Sequence, residues 1–395
     1  MNRREFLYTG TALTATAGMT ARSYAAITGA NDRMNLGVIG TGRRATVVCG
    51  AGFTQDPRVR IVALCDVYGK QLAEFQNKFK EHLSNPAIFV DYHDMLARKD
   101  IDNVFIAIPD HLHVQVACDA MHAGKNIYLE KPTLHRWHER DALIKAHADS
   151  GKVLQCGMQQ RSGSHYMKAK DEIIGAGMLG DIVMVRATWS NFPWQRRVIP
   201  AEPKPTDLRW DLFLGPAPKV PYEYARYSSW RSYHDYGNGL LADILTHWVD
   251  VAQWLMNDDQ PVKASALGGD YVLTGDLTNP DTVSAIIQYK KWNLSFESSV
   301  LSIKDPRPAV LFQGTKGNLS ITRGGYVMTP NEGEPMTVDY KAELEVAHTK
   351  NFVDAVVTGA KLNAPLAAGL SATKPVEMAL RSYWDKKTVT PGDLA

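Results

Sequence analysis

The sequence predicts a two-domain α/β protein: a doubly wound parallel sheet, followed by an α+β domain on a large, mainly antiparallel open sheet. Three observations lead there. Short apolar runs alternate with helical periodicity as far as Cys156. A glycine-rich turn joins the first run to the first helical stretch. Beyond Ile182 the runs lengthen and helices become sparse. A chain of 395 residues is long enough for two cores. Its 45% hydrophobic and 22% charged content argues against a disordered or membrane-spanning chain.

The early runs are Leu36–Ile39, Ile61–Leu64, Val104–Ile108, Ile127–Leu129 and Val153–Cys156. Continuous apolarity marks strands buried on both faces, so helices must cover both sides of their sheet. Amphipathic stretches such as Leu112–Met121 and Trp137–Ala148 supply them. After a helix near His165–Ile174, strands are expected at Ile182–Trp189, Val262–Val272, Thr282–Tyr289, Leu294–Ser299 and Ala309–Gln313, with a helix at Leu241–Leu255. Residues 193–221 carry Pro193, Pro200, Pro203, Pro205, Pro216, Pro218 and Pro221. Proline removes backbone donors, so this segment reads as a long surface loop or arm. His348–Val357 and Ala372–Tyr383 return to helix. The expected units are residues 34–158 for a nucleotide, 159–345 for substrate and oligomerisation, and tail helices from 346 to 395 packing back on the first domain.

Residues 1–25 read as a targeting segment. Arg3 and Arg4 precede a mildly apolar stretch, Leu7 to Met19, too short to span a bilayer, and Ser23-Tyr24-Ala25 offers small residues for cleavage. The segment resembles a twin-arginine export signal, which implies passage of the folded protein through the twin-arginine machinery to the periplasm. The remaining chain carries 41 basic and 41 acidic residues. That balance gives no electrostatic case for nucleic acid or an anionic membrane. The cysteines Cys49, Cys65, Cys118 and Cys156 form no CxxC pair and read as small buried hydrophobes.

Gly40-Thr41-Gly42-Arg43-Arg44-Ala45 follows the first strand and opens a helix, the G-x-G-x-x-A arrangement of a Rossmann dinucleotide site. Gly40 permits the tight turn and Gly42 lets a pyrophosphate approach the backbone. Ala45 lets the helix pack on the sheet with its N-terminus toward the phosphates. The second strand ends in Asp66, placed to accept the ribose hydroxyls, so NAD is favoured over NADP. Arg43 and Arg44 keep NADP open, because a guanidinium can pair with a 2′-phosphate.

Two further loops leave strand C-terminal ends, which in a doubly wound sheet line one crevice. They are Pro109-Asp110-His111-Leu112-His113 and Glu130-Lys131-Pro132. A strand-end Glu-Lys-Pro there resembles the glucose-fructose oxidoreductase/inositol dehydrogenase (Gfo/Idh/MocA) family. Trp210-Asp211-Leu212-Phe213-Leu214-Gly215-Pro216 and Gly237-Asn238-Gly239-Leu240-Leu241-Ala242-Asp243, followed by His247 and Asp250, extend the resemblance over nearly the whole chain after Asn35. The resemblance implies that Lys131 lies beside the nicotinamide and the reacting carbon, with Asp243 and His247 joining it around the substrate. Asp243 and His247, one turn apart, share a helix face. His247 exchanges protons near neutral pH, and a lysine with lowered pKa can help take one. It also assigns Pro109, His113 and Glu130 to the cofactor side. Gln159 and Arg161 follow the sixth strand at the domain junction, where Gln159 is expected to contact the cofactor and Arg161 the substrate. Trp189, Trp194, Trp230, Arg231, Tyr233 and His234 combine rings with polar groups, as a sugar's C–H faces and hydroxyl edges require. His111/His113 and His135/His138 lack the cysteine or carboxylate that would complete a metal site, and no metal is expected.

Together these readings describe an exported NAD(P)-dependent oxidoreductase of sugars or glycosides. Its cofactor is held tightly because free NAD is scarce outside the cytoplasm. A redox-neutral glycoside hydrolase or lyase, working by transient oxidation, elimination and hydride return, would use the same residues. A sheet face without helices would expose apolar surface, so a homodimer or homotetramer is expected.

Overall fold

The computed structural model describes residues 33–190, 201–273, 275–301 and 310–394. The arginine pair Arg3–Arg4 and Trp194 lie outside the described residues.

The first domain is a six-stranded parallel sheet: β1 (Met34–Ile39), β2 (Val59–Cys65), β3 (Ala87–Phe89), β4 (Asn103–Ile106), β5 (Asn126–Leu129) and β6 (Leu154–Cys156). The strand order is β3-β2-β1-β4-β5-β6, with every neighbouring pair parallel. The chain crosses from one edge to the centre between β3 and β4. The connections leaving the C-terminal ends of β1 and β4 therefore run in opposite directions and open a crevice at this switch point. Helices α1 (Arg43–Val48), α2 (Gly69–Lys78), α3 (Tyr92–Leu96), α4 (His113–His122) and α5 (Arg140–Ser150) form the crossovers. The central strands are buried on both faces: β4 is shielded at all four positions and Val38, Leu64 and Ile127 are fully covered. Cys118 is only half-buried, against expectation, because it sits on the outer flank of α4; the other three cysteines are buried, and all four are free thiols.

The second domain begins with α6 (Ser164–Lys168) and builds β7 (Ile182–Ser190). The Pro-rich arm follows. It is not devoid of regular structure: α7 (Trp210–Leu214) and α8 (Tyr224–Ser228) form in or just beyond it. Trp210, Phe213, Tyr233 and Tyr236 bury one another there and make a small separate core. Much of the described part of the arm is exposed and irregular, and apolar anchors at Trp210, Phe213 and Leu214 pin it to the domain. A single π-type turn, Leu241–Leu245, then leads into α9 (Thr246–Met256).

The remaining strands are β8 (Lys263–Gly269), β9 (Thr282–Gln288), β10 (Asn293–Ser299), β11 (Val310–Gly314), β12 (Gly317–Thr322), β13 (Gly325–Pro330) and β14 (Met336–Asp339). They form an eight-stranded sheet in the order β14-β13-β12-β11-β7-β10-β9-β8, antiparallel except for the β7–β10 pair. Burial alternates along the strands β8 to β12. Val283, Ala285 and Ile287 of β9 point into the core, whereas Ser284 and Ile286 face outward. One sheet face thus packs on helices and the other is open, with Leu267 and Ile286 exposed on it.

Two tail helices close the fold. Phe352 of α10 (Leu344–Thr358) packs edge-on against Phe53 and Tyr128 of the first domain. By contrast, α11 (Leu366–Asp385) lies on β8 and α9 of the second domain as well as on β6. It starts before the expected Ala372 and runs through Pro375. No helix among the described residues is long and apolar enough to cross a membrane.

Candidate active site

The crevice is built first from backbone. Gly40 has φ +83°, a region open to glycine, and its N–H donates to the Cys65 carbonyl (2.8 Å). A Cβ there would lie 2.3 Å from the Ala107 carbonyl oxygen, so β1 can turn this close to β4 only with glycine. A Cβ on Gly42 would meet nothing within 4 Å, which leaves clear space before the N-terminus of α1. Open space at a helix N-terminus after such a turn is what a pyrophosphate requires.

Asp66 closes the far side. Its Oδ2 accepts from the Thr41 amide (2.8 Å) and hydroxyl (3.1 Å), and its Oδ1 from the Tyr68 amide (3.0 Å). Burial pushes its carboxyl up, against those bonds. Arg44 turns away from it. Its Nε donates to buried Glu130 (2.7 Å) and its Nη1 to Glu345 (2.9 Å), at the β5 side of the crevice. Arg44 is therefore committed to two carboxylates, not available beside Asp66 for a 2′-phosphate; Arg43 is solvent-exposed. Arg44 Nη2 and Gln159 Oε1 are buried without a protein partner, as expected of groups that a bound dinucleotide satisfies. The residues present fit NAD.

His113 is fully buried, with Nδ1 2.7 Å from the Pro132 carbonyl and Nε2 2.9 Å from the Ile108 carbonyl. Burial holds its pKa down to about 4, so the neutral ring donates its single N–H to one of these carbonyls and packs between the loop at Pro109 and the loop at Lys131.

The opposite wall comes from the turn before α9. Lys131 Nζ donates to the Asp243 carbonyl (2.9 Å) and to its Oδ1 (2.6 Å), and Arg231 Nε donates to the same Oδ1 (3.0 Å). Burial alone would raise the Asp243 carboxyl, but the Lys131 and Arg231 charges outweigh it and hold the group well below the usual carboxylate range. Asp243 Oδ2 has no hydrogen-bond partner among the described residues. A π-type turn, a frequent feature of functional helices, carries this aspartate. One turn on, His247 Nδ1–H donates to Gln160 Oε1 (3.2 Å). Burial, then the charges of Lys131 and Arg323, hold the imidazole well below its ordinary pKa, so it is neutral at pH 7. With Nδ1 as donor, Nε2 carries the lone pair.

The remaining expected residues divide. Trp230 flanks the cleft and lies under the Arg231 guanidinium at 4.1 Å. Tyr233 is instead core, packed with Tyr236 and the arm aromatics. His234 is held by Arg136 and packs at a tilt against Trp384, and burial lowers its pKa to about 4. Arg161 is locked to Asp250 through Nε (2.8 Å) and Nη2 (2.8 Å), with its guanidinium over Trp254. That pair fastens the segment after β6 to α9 and leaves Arg161 little to offer a substrate.

Sequence reasoning passes over Asp110, Glu345 and Arg323. Asp110 is visible within Pro109–His113. Its carboxyl is buried and pushed up to about 7 by desolvation, against the pull of Arg231 and Lys131. Glu345 and Arg323 reach the site from distant segments with no motif around them.

Two family models match in succession: "Oxidoreductase family, NAD-binding Rossmann fold" over residues 34–158 and "GFO/IDH/MocA C-terminal domain" over residues 166–320. Oxidoreductase P35 of Formosa agariphila is 23% identical over 300 residues, covering 75% of this chain and 84% of that protein. Inositol 2-dehydrogenase of Salmonella typhimurium is 26% identical over 202 residues, covering 51% and 48%. Among solved structures, levoglucosan dehydrogenase in complex with NADH superposes with a TM-score of 0.72 at 19% identity, over 91% of this chain and 99% of that one. With both domains matched in order and the dinucleotide crevice formed, the chain belongs to the GFO/IDH/MocA family of NAD-binding oxidoreductases.

Proposed function

We propose that the protein oxidises a secondary hydroxyl of a sugar or glycoside, using an NAD that stays bound through turnover. The observation that carries this reading is the Lys131–Asp243–His247 constellation facing the dinucleotide crevice. NAD, when bound, supplies the hydride acceptor. Lys131 spends two of its three N–H donors on Asp243, leaving one for the oxygen of the reacting hydroxyl. Neutral His247 takes that hydroxyl's proton at Nε2. Asp243 is oriented by two cations and offers Oδ2 to a neighbouring hydroxyl, so the wall reads a pair of adjacent hydroxyls, the signature of a carbohydrate. The relatives named for inositol and levoglucosan support the same substrate class.

Cofactor retention is supported by the arm. Arg209 N–H donates to the Val67 carbonyl (2.9 Å), Leu208 bridges to Tyr68, and the Tyr227 ring packs on Tyr68. The second domain thereby lies across the loop that carries Asp66. Retention suits an exported enzyme, and the Arg3–Arg4 segment supports export of the folded holoprotein to the periplasm through the twin-arginine machinery. The open sheet face, with Leu267 and Ile286, supports a homodimer or homotetramer.

Protein purified without added nucleotide tests the reading. Its absorbance in the reduced-nicotinamide band is followed while a panel of sugars and glycosides is added, and products are recovered. A rise that persists until a carbonyl compound is supplied, with glycosidic linkages intact, is expected. A rise that decays unaided with a broken linkage would replace net oxidation by redox-assisted cleavage. Absence of bound dinucleotide would sink retention.

A further inference from the structure

Arg323 sits at the turn between β12 and β13, far in sequence from every motif of the site. Its guanidinium lies 5.6 Å from the Trp189 ring centre and 5.7 Å from that of Trp248, the residue after His247. Contact with the faces of two indoles holds a guanidinium in place and leaves its in-plane N–H donors unspent. The residue as a whole is exposed, yet desolvation is the largest influence on its guanidinium and lowers its pKa. Arg323 is thus within reach of solvent while its guanidinium is backed by protein on the side of the two indoles.

The charges around it are already taken. The carboxylates that feel Arg323 are Glu345 and Asp243. Glu345 is paired with Arg44 (2.9 Å), and Asp243 with Lys131 (2.6 Å) and Arg231 (3.0 Å). Among the described residues Arg323 itself makes no hydrogen bond or ion pair. It is a surplus cation on the substrate wall, close enough to His247 to depress its basicity.

We infer that Arg323, framed by Trp189 and Trp248, is a receptor for an anionic group on the substrate, so the preferred substrates are acidic sugars or glycosides carrying a carboxylate. This rests on the reading of the site as a carbohydrate oxidoreductase and deepens it. A planar carboxylate matches the in-plane donors of a guanidinium in bidentate fashion. The cofactor pyrophosphate is the other anion nearby. Its place is the Gly40–Arg44 turn of the first domain, whereas Arg323 projects from the second domain beside His247.

The experiment compares methyl hexuronides with their neutral methyl hexosides, pair by pair, on the NAD-loaded full-length protein. Parent, Arg323→Lys and Arg323→Met are assayed for kcat/KM, for binding of the same probes by calorimetry, and for NAD affinity. The acid-to-neutral ratio of kcat/KM should exceed one in the parent. It should fall about 10- to 100-fold in Arg323→Met. Arg323→Lys should fall between, because it keeps charge but loses the bidentate fork. An unchanged ratio, an equal loss for both partners of each pair, or a loss that tracks NAD affinity overturns the inference. If no sugar is turned over, the oxidoreductase reading fails separately. Uronide binding weakened by Arg323→Met would still uphold the anion receptor, and absence of uronide binding to the parent would end it.

Discussion

Two aspartates two turns apart, half-buried Asp243 and buried Asp250, each meet a cation brought from the first domain or its edge. They have opposite characters. Asp250 is 2% exposed and accepts with both oxygens from one guanidinium, which is backed by Trp254. Burial outweighs Arg161 and leaves its carboxyl above the usual range. Asp243 faces two cations, keeps Oδ2 unspent, and is pulled well below that range. The first pair is closed and serves the domain junction. The second is open and serves a ligand. Spacing on a helix puts both residues on one side but says nothing about which carboxylate retains a vacant oxygen.

The largest effect should follow from removing the cation shared by substrate and Asp243. Lys131→Met is expected to lower kcat by about 10³- to 10⁴-fold, within the range for loss of a proton-handling group together with its positioning. NAD binding, followed by nucleotide fluorescence, should be retained, because Lys131 contributes no part of the Gly40–Asp66 cradle. A variant that loses NAD in parallel would show that the two walls are not separable.

The aspartate comparison is sharpened by making the same change twice. Asp250→Asn leaves Arg161 buried without its counter-charge, and breaking a buried pair costs about 3–5 kcal/mol. Its thermal or denaturant midpoint should drop while kcat/KM of the folded fraction stays within a few-fold. Asp243→Asn should do the reverse, lowering kcat/KM by about 10²-fold with a smaller loss of stability. Equal stability losses would mean that both pairs are structural, and the assignment of Asp243 to substrate would fall.

Much of the cofactor wall is legible in the sequence, because it depends on local backbone chemistry. A glycine at φ +83°, an open second glycine and an acid at the next strand end declare themselves within a short stretch of chain. The substrate wall is legible only where the family resemblance marks Lys131, Asp243 and His247. Arg161 and Tyr233 look equally suited to a ligand, but their partners Asp250 and Tyr236 absorb them. Arg44 looks suited to a phosphate, and the partner that claims it with Glu130, Glu345, lies 301 residues away. Arg323 has no motif at all, since its setting is made by Trp189 and Trp248 from two other elements. The packing of the proline-rich arm escapes a sequence reading for a related reason: Trp210 and Phe213 find aromatic partners beyond the arm itself.

The smallest expected effect concerns Asp110, the buried carboxyl that faces Lys131 and Arg231 across the same cleft. Its folded pKa of about 7 lies above the ordinary aspartate value of 3.8. A raised folded pKa means a contribution to stability that is complete below the unfolded value and is lost as pH rises through about 7. The loss should be on the order of 2–4 kcal/mol between pH 4 and 8, because each tenfold change in proton affinity is worth about 1.4 kcal/mol. Asp110→Asn cannot titrate, so the stability difference between variant and parent should move in the variant's favour over that interval. The buried histidines oppose this trend in both proteins. His111 and His348, held down to about 4 by burial, contribute stability above their unfolded pKa that is lost as pH falls. The quantity to measure is therefore the variant-minus-parent difference in unfolding free energy across pH, in which the histidines cancel. A flat difference would mean that Asp110 is ionised throughout, as a second counter-charge to Lys131 and Arg231. The contrast between an open and a closed aspartate would then extend to a third carboxylate, with Asp110 on the open side.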